Sequence, residues 1–480
     1  MNASDSNQKG FDKIPGSICA PLGFKAAAVF CDIKKLGTGK GSEKGQKRDL
    51  ALIVSDVPSG VAGMFTANQV CAAPVKVSAQ HAAGKSARAI VVNSGNANAC
   101  TGKQGLKDAQ EMARLAAQAL AVAFDRRHSK SSAVIRLPGD TARQVDRRYK
   151  IKAADILVCS TGRIGVPMPM KNVERGIHDC APRLARSVRN ARDVAEAIMT
   201  SDTRRKEIAV EFGLGRSKVR IGGICKGAGM IQPGMTAAID TARSAVATKH
   251  ATMLAFLTTD AVVESRFLKK SLAIAVGQSF NRITVDGDMS TNDSVIILAN
   301  GLAGNRRLDP AAAGPYREKF QSALNHVCLA LAKMIVRDGE GVSRFVTVRV
   351  RGARSPGEAE AAARAIANSS LVKTSWCGGD PNWGRVLCAV GYSRARVDES
   401  IVDVGYSRPG ERKILYGFRR GRPADLPLQK LAAVTAAAEF DVHVDLHSGS
   451  GEFVLYASDL TENYVAFNKG DVSDPTSLGG

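Results

Sequence analysis

A threonine in the middle of the chain has a distinctive chemical context. Thr252 follows Ala251 and precedes the apolar run Met-Leu-Ala-Phe-Leu. If the Ala251–Thr252 peptide bond breaks, Thr252 carries a hydroxyl and an α-amine on adjacent carbons. An α-amine with a pKa of about 8 can act as base for that hydroxyl, so one residue supplies nucleophile and base. Taken alone, the stretch favours a structural Thr whose hydroxyl bonds the backbone.

Two other segments place polar groups at the ends of apolar runs. The run 156–160 is followed by Thr161 and Gly162. A sharp turn there can present a hydroxyl beside an exposed N–H, which are the donors that an oxyanion hole needs. Lys226 lies among glycines after another apolar run, where it can bind a carboxylate. The structural alternatives are an ordinary strand-ending turn and a surface turn.

The net charge and the cysteine spacing exclude some classes of function. A formal net charge of +22 could indicate nucleic-acid binding, but the basic residues are spread along the chain without interleaved aromatic residues. Nucleic acid is therefore not a predicted partner, and the basic segment 125–152 is predicted to be a solvated loop. No cysteines form a CxxC pair, which predicts free thiols in a reducing compartment and no metal site.

The pattern of apolar residues predicts an α/β protein. No apolar run is long enough to span a membrane, and the N-terminus resembles neither a secretory signal nor a transit peptide, so a cytoplasmic location is expected. Strands are predicted at 50–54, 89–92 and 294–299, and a long amphipathic helix at 315–337. An Ala-rich helix is predicted within 234–250. Ser355 is predicted to cap a helix that begins at Pro356.

A series of ordered segments resembles the ornithine acetyltransferase family, the bifunctional glutamate N-acetyltransferases of arginine biosynthesis. The resemblance runs from about Ala20 to Asn468. The segments that carry it are Asp49–Pro58, Val91–Gly102, Ser160–Gly162, Lys226–Met230, Ala251–Ala261, Ile283–Asp288, Val336–Gly341, Asp380–Arg385 and Asp459–Thr461.

The resemblance implies a fold and a domain division. The fold class is α/β (α+β), with an αββα-type sandwich of the N-terminal-nucleophile kind and a smaller C-terminal α+β domain. On this basis residues 1–16 are predicted to be a flexible N-terminus. Residues 17–341 are predicted to form the catalytic domain with the cleavage site, and 342–480 the C-terminal domain.

The resemblance also implies an activity. Such enzymes transfer the acetyl group of N2-acetyl-L-ornithine to L-glutamate through an acetyl-threonine, and some members also accept acetyl-CoA as donor. No metal or organic cofactor is implied. Self-cleavage would give α and β chains that remain together, as α2β2.

Residue roles follow where the motifs match. Thr252 occupies the position of the nucleophile, and the bond between Ala251 and Thr252 is the cleavage site. Thr161 and Gly162 occupy the positions of the oxyanion hole. The positions that contact substrate in the family are Thr200, Lys226, Thr252, Glu340, Asn468 and Ser473.

One departure from the family bears on cleavage. The family has a Pro shortly before the nucleophile, whereas here the additional segment 236–250 separates Pro233 from Thr252. Self-cleavage needs the Ala251 carbonyl to be held in place, and a long approach could loosen it. Two alternatives therefore stay open: an N-terminal-Thr aminopeptidase or amidase on the same fold, and an uncleaved, inactive relic.

Overall fold

The computed structural model describes residues 10–34, 47–84, 86–128, 151–237, 253–311 and 314–469. The strands of this part of the chain are β1 (Asp12–Lys13), β2 (Phe24–Val29), β3 (Leu50–Thr66), β4 (Ala87–Asn96), β5 (Ile156–Arg163), β6 (Lys206–Leu214), β7 (Ser217–Lys226), β8 (Met235–Thr236), β9 (Leu254–Thr259), β10 (Ile283–Thr284), β11 (Ser294–Ala299), β12 (Phe345–Ala353), β13 (Asp403–Ser407), β14 (Leu415–Arg419), β15 (Arg422–Pro423), β16 (Glu439–Asp445) and β17 (Gly451–Ser458).

The helices of the same residues are α1 (Ala73–Ala82), α2 (Gly102–His128), α3 (Met170–Cys180), α4 (Val188–Ala197), α5 (Ser265–Gly277), α6 (Gly314–Arg337), α7 (Pro356–Asn368), α8 (Ser370–Cys377), α9 (Trp383–Gly391), α10 (Leu428–Thr435) and α11 (Glu462–Asn468). Every helix in the described ranges is too short or too polar to span a membrane.

The long strand β3 connects two halves of a ten-stranded sheet. Its first part pairs with β2 and β4, and its second part pairs with β11 and β8. Leu50 and Leu52 face a core that includes residues of α2 and α3, whereas Ala51 and Ile53 face a central core between the two halves. Because neighbouring strand residues point to opposite faces, one strand contributes to two cores.

The strand β11 shows the same alternation in the other half. Val295 and Ile297 face a core that includes α5 and α6, while Ile296 and Leu298 face the central core. The order of layers is therefore helices, sheet, sheet and helices. This arrangement confirms the predicted αββα sandwich, and it follows from apolar residues on both sides of each central strand.

The second sheet has seven strands in the order β10-β17-β12-β16-β13-β14-β15. One face packs on α7 to α10 through residues such as Val348 and Val442. Ser355 Oγ accepts a hydrogen bond from the Glu358 amide, which confirms the predicted helix cap. The boundary between residues 341 and 342 stays a prediction, since β10 joins this sheet from the earlier part of the chain.

Several local predictions differ from the structure. Residues 125–128 continue α2, so the prediction of a loop beginning at 125 is wrong there; residues 129–150 lie outside the described part of the chain. The helix expected within 234–250 is wrong at 235–236, which form β8 against β3 because their amides and carbonyls pair with that strand. Within the predicted flexible N-terminus, residues 12–13 form β1 and pair with β6.

Candidate active site

Lys226 contacts two other sequence-predicted residues, Thr161 and Thr200. It is the last residue of β7, and its side chain is almost completely buried, with 2% exposure. Its Nζ donates a hydrogen bond to Thr161 Oγ1 at 3.2 Å and another to Thr200 Oγ1 at 2.7 Å. Thr161 lies in β5, and Thr200 follows α4. The two halves of the first sheet therefore meet at Lys226.

The direction of these hydrogen bonds determines what the two hydroxyls can do. An ammonium group is only a donor, so Thr161 Oγ1 and Thr200 Oγ1 both act as acceptors toward Lys226. Each hydroxyl keeps its own proton for donation to another oxygen. A positive charge on the accepting side also polarises each O–H. Two such donors around one ammonium form a site suited to a carboxylate or an oxyanion.

Gly162 lies where β4 and β5 approach closely. Its φ is +125°, a conformation that only glycine adopts readily. A Cβ at this position would lie 2.4 Å from the carbonyl carbon of Gly95, in the neighbouring strand β4. A glycine is therefore required here both by conformation and by space, next to the Thr161 hydroxyl.

Lys226 belongs to a group of four buried, charged side chains, which we call the buried charge cluster. Its members are Asp202, Lys206, Lys226 and Asp338. Lys206 Nζ donates to Asp202 Oδ1 at 2.6 Å and also to Asp338 Oδ2. Asp202 Oδ2 lies 4.0 Å from Lys226 Nζ. All four side chains are at most 2% exposed. Two carboxylates and two ammonium groups thus balance their charges inside the protein.

The pKa values of Asp202 and Lys226 are both shifted downward, for different reasons. Burial alone would raise the pKa of Asp202, but the Lys206 and Lys226 charges outweigh it, so the net shift is downward. Burial lowers the pKa of Lys226, and the nearby Asp202 carboxylate opposes that effect. Lys226 is therefore a cation whose charge depends on its anionic neighbours.

Glu340 and Asn468 form a second group of predicted residues. Glu340 follows α6, and its carboxylate lies against the backbone of Gly229, where a Cβ would come within 2.5 Å of Glu340 Oε2. Asn468, at the end of α11, donates from Nδ2 to Glu340 Oε2 at 3.0 Å. The negative charge of Glu340 raises the pKa of Lys226, against the effect of burial. Both predicted groups therefore act at the end of β7.

Ala251, Thr252 and Ser473 lie outside the described residues. Met253, the next residue in sequence after the predicted nucleophile, is completely buried and begins the approach to β9. Its amide donates to Asp293 Oδ1 at 2.8 Å, and its carbonyl accepts from the Ser294 amide at 3.0 Å. The Met253 Cα lies 3.6 Å from the position that a Cβ of Gly227 would occupy. The chain that follows the predicted cleavage point is thus fixed beside Lys226.

Asp293 has an unusual environment. The side chain is fully buried, and its Oδ2 has no hydrogen-bond partner among the described residues. Burial raises its pKa to about 7, although the hydrogen bond from Met253 acts in the opposite direction. Asp293 can therefore exchange a proton near neutral pH, next to the predicted cleavage position.

Sequence reasoning missed Asp202, Lys206, Asp293 and Asp338. The four-residue spacing of Asp202 and Lys206 was one available signal, because it is compatible with an ion pair on one face of a turn. Asp338 belongs to a segment that carried the family resemblance, but its contact with Lys206 spans 132 positions. No local pattern indicates such a pair. Among the described residues no group of His, Cys, Asp and Glu is arranged to hold a metal ion.

Comparisons with known proteins agree over nearly the whole length. The model of the ArgJ family matches residues 26–139 and 138–470. An arginine biosynthesis bifunctional protein ArgJ from Symbiobacterium thermophilum is 42% identical over 455 residues, which are 95% of this chain and 98% of that protein. A glutamate N-acetyltransferase from Methanocaldococcus jannaschii is 39% identical over 458 residues, with 95% and 98% coverage.

A crystal structure of ornithine acetyltransferase from Mycobacterium tuberculosis, complexed with ornithine, is 31% identical. It covers 47% of this chain and 100% of that chain, with a TM-score of 0.37.

Proposed function

The chain belongs to the ArgJ family, and we propose that it transfers the acetyl group of N2-acetyl-L-ornithine to L-glutamate. The observation that carries this proposal is the near full-length match to relatives named as bifunctional arginine biosynthesis proteins and glutamate N-acetyltransferase. The products are ornithine and N-acetylglutamate.

The first half-reaction forms an acetyl-enzyme. The Thr252 hydroxyl attacks the acetyl carbonyl carbon, and its proton passes to the Thr252 α-amine. The tetrahedral intermediate then collapses, the C–N bond breaks, and the α-amine of ornithine leaves with that proton. The acetyl group remains as an ester on Thr252. A second attack, by the amine of glutamate on the ester carbonyl, releases N-acetylglutamate and restores the hydroxyl.

Thr161 and Gly162 serve as the oxyanion hole in this proposal. The support is that Thr161 accepts a hydrogen bond from Lys226, so its own proton is available to donate to the oxyanion. The Gly162 amide is the second donor. Loss of one such donor typically costs about 3 kcal/mol of transition-state stabilisation.

Lys226 and Glu340 bind the charged ends of the amino-acid substrates. Lys226 neutralises a substrate carboxylate, with Thr200 as a neighbouring hydroxyl donor. Glu340 pairs with an ammonium group of ornithine or glutamate, and Asn468 orients the Glu340 carboxylate. Ser473 completes the substrate contacts on the strength of the family resemblance.

Self-cleavage between Ala251 and Thr252 frees the α-amine that acts as base. The fixed position of Met253, held through Asp293 and Ser294, supports a cleavage site that stays ordered on its C-terminal side despite the additional segment 236–250. The two resulting chains remain together and form an α2β2 assembly. In this proposal catalysis needs no metal or organic cofactor, because one residue supplies both nucleophile and base. Acetyl-CoA serves as a second acetyl donor.

We place the reaction in the cytoplasm. All ten cysteines are free thiols, and cysteines that stay unpaired are usual in a reducing compartment.

Intact-mass spectrometry of the purified protein tests this proposal. We expect two fragments of about equal mass that meet at Ala251 and Thr252, and incubation with N-acetylornithine alone should make the Thr252 fragment heavier by one acetyl group. The Thr252→Ala variant should remain a single 50.6 kDa chain without activity. Thr252→Ser is the matched control, because it keeps a hydroxyl and should retain cleavage.

Three outcomes would contradict the proposal. A cleaved and active Thr252→Ala protein would remove Thr252 as the nucleophile. Release of acetate at the same rate with and without glutamate would favour the amidase alternative. A single intact wild-type chain that still transfers acetyl groups would remove self-cleavage from the mechanism.

A further inference from the structure

Asp202 contacts Lys206 and the backbone of Thr200 and Gly227, close to Lys226. Its Oδ1 accepts hydrogen bonds from Lys206 Nζ at 2.6 Å and from the Gly227 amide at 2.8 Å. Its Oδ2 accepts from the Thr200 amide at 3.1 Å and lies 4.0 Å from Lys226 Nζ. One carboxylate thus fixes the backbone on both sides of the Lys226–Thr200 hydrogen bond.

The difference between the two lysine distances has a physical consequence. Asp202 is in direct contact with Lys206, while Lys226 is further away, at the limit of an ion pair. A direct Asp202–Lys226 pair would satisfy the Lys226 ammonium internally and compete with a substrate carboxylate. Because Asp202 pairs with Lys206, it lies 4.0 Å from the Lys226 ammonium, where its negative charge still favours the charged form.

Asp338 completes the charge balance. It accepts from Lys206 Nζ, from the Thr203 hydroxyl and from the Thr203 amide at 3.1 Å. Lys206 is therefore held between two carboxylates, and removal of either would leave the buried charge cluster with an excess positive charge. Among the described residues Asp338 contacts Lys206 and forms no ion pair with Lys226. Asp338 is therefore part of the buried charge cluster but lies away from the predicted substrate site.

We propose that Asp202 is a positioning residue for acetyl transfer, which holds the Lys226 ammonium charged and oriented toward a substrate α-carboxylate. In this role Lys206 limits how strongly Asp202 engages Lys226, and Asp338 compensates the charge of Lys206. The inference rests on the proposed function only for the identity of the substrate.

Charged groups from several elements act on Lys226, and a pH test must take all of them into account. They are Asp202 after α4, Lys206 in β6, Asp293 before β11, Glu340 after α6 and Lys34 after β2. Of these, Asp202 is the carboxylate within ion-pair distance of Lys226 in the described residues. An opposite charge at such a distance shifts a pKa by about 1–3 units. Removal of Asp202 should therefore lower the pKa of Lys226 by at least about one unit.

The experiment uses two measurements on the full-length protein. The first is an NMR titration with 13Cε-labelled lysine, in which the Lys226 resonance is assigned from Lys226→Arg. The second is the pH dependence of kcat/KM for N-acetylornithine. The variants are Asp202→Asn, Asp338→Asn as the matched control, and the double variant Asp202→Asn with Lys206→Gln. The double variant keeps the net charge of the buried charge cluster, and Asp338 retains its hydrogen bonds from Thr203, so it is the second variant for the case that Asp202→Asn does not fold.

The expected results separate positioning from mere structural support. Asp202→Asn should show the Lys226 titration and the alkaline limb of kcat/KM moved to lower pH by at least about one unit, mainly through KM. The double variant should shift in the same direction by a smaller amount, because it also loses the Lys206 charge that lowers the pKa of Lys226. Asp338→Asn should lose stability to a similar extent but keep the wild-type limb. The double variant should regain stability without regaining the wild-type limb.

A wild-type titration of Lys226 in both Asp202 variants would overturn the inference. So would an equal shift in Asp338→Asn. The NMR titration needs no catalysis, so an unshifted titration is distinguishable from a failure of the proposed function, which would appear as absent transfer in the wild-type protein.

Discussion

Two sets of opposite charges in this protein pair a basic side chain with an aspartate at the same distance, and they have different consequences. In the buried charge cluster, Lys206 and Asp202 lie 2.6 Å apart, and both side chains are 0% exposed. On the open face of the second sheet, Arg351 and Asp445 also lie 2.6 Å apart, but Arg351 is 58% exposed. The two distances are equal, so the pairs differ in their exposure to water.

Exposure to water determines how much an ion pair contributes to stability. An exposed pair gains little from its attraction, because water screens both charges and hydrates each of them when the pair breaks. A buried pair has given up that hydration, and each charge depends on its partner. The buried charges therefore act on Lys226 with little screening by water. On the second sheet burial is the larger cause that lowers the pKa of His443, and Arg349 and Arg351 also lower it.

The largest expected difference concerns stability. Lys206→Met should lower the free energy of unfolding by about 3–5 kcal/mol, because it leaves Asp202 and Asp338 buried without their shared cation. Arg351→Met should change it by less than about 1 kcal/mol. Urea denaturation of both variants measures the two effects. Equal losses would show that burial does not separate the two sets.

The next effect concerns activity. Lys226→Gln should lower kcat/KM by about 10–100-fold, the loss expected when a charge-assisted hydrogen bond of about 1.5–3 kcal/mol is removed. Arg349→Gln, which removes an arginine paired with Asp441 on the second sheet, should leave kcat/KM unchanged. Steady-state kinetics of acetyl transfer measures both. An unchanged kcat/KM in Lys226→Gln would remove Lys226 from the substrate site.

A third prediction compares two buried carboxylates. The pKa of Asp293 is raised from 3.8 to about 7 by burial, whereas that of Asp202 is lowered by its cations. A raised folded-state pKa means that the native state holds a proton that the unfolded state has lost. The stability contribution of Asp293 is therefore complete below about pH 4 and falls as the pH rises to about 7.

Replacement of Asp293 tests this sign. Asp293→Asn should flatten the decrease in stability between about pH 4 and 7, the range between the unfolded and folded pKa values, and should be more stable than the wild type at the alkaline end of that range. Thermal unfolding across this range measures the effect. A wild-type profile that rises over the same range, or an Asn variant with the same slope, would contradict the assignment.

The smallest effect is the response to salt. Raising the ionic strength to about 1 M shortens the screening length to about 3 Å, so the contribution of the Arg351–Asp445 pair should disappear. The buried charge cluster should keep its contribution, since solvent ions do not enter it. A double-mutant cycle on each pair at low and high salt measures the two responses. An equal loss of coupling energy in both pairs would contradict the comparison.

The sequence indicated much of the local structure. Apolar runs at 50–54 and 89–92 lie in β3 and β4, the strand at 294–299 is β11, and the helix at 315–337 is α6. The strand predictions succeed because strands buried on both faces are apolar at nearly every position. The helix prediction succeeds because its buried residues repeat with the helical period. The extension of α2 through residue 128 was missed, since the loop was predicted from basic composition, which does not separate the end of a helix from a loop.

The contacts within the candidate site could not be predicted from the sequence. Family motifs gave Thr161, Thr200 and Lys226 as separate positions, and the structure brings them together through one ammonium group. Asp293 carries no periodic signal, because its significance comes from burial beside Met253. A contact between side chains that are far apart in sequence produces no recognisable pattern in the neighbouring residues.

The sequence by itself determined the elements, the family and the residue types at the site, because these depend on short-range periodicity and on ordered motifs. Only the tertiary structure decided which charges lose contact with water and which carboxylate faces which lysine. The physical reason is that the energy of a charge depends on its surroundings, and those surroundings come from parts of the chain as distant as Asp338 is from Lys206, 132 positions away.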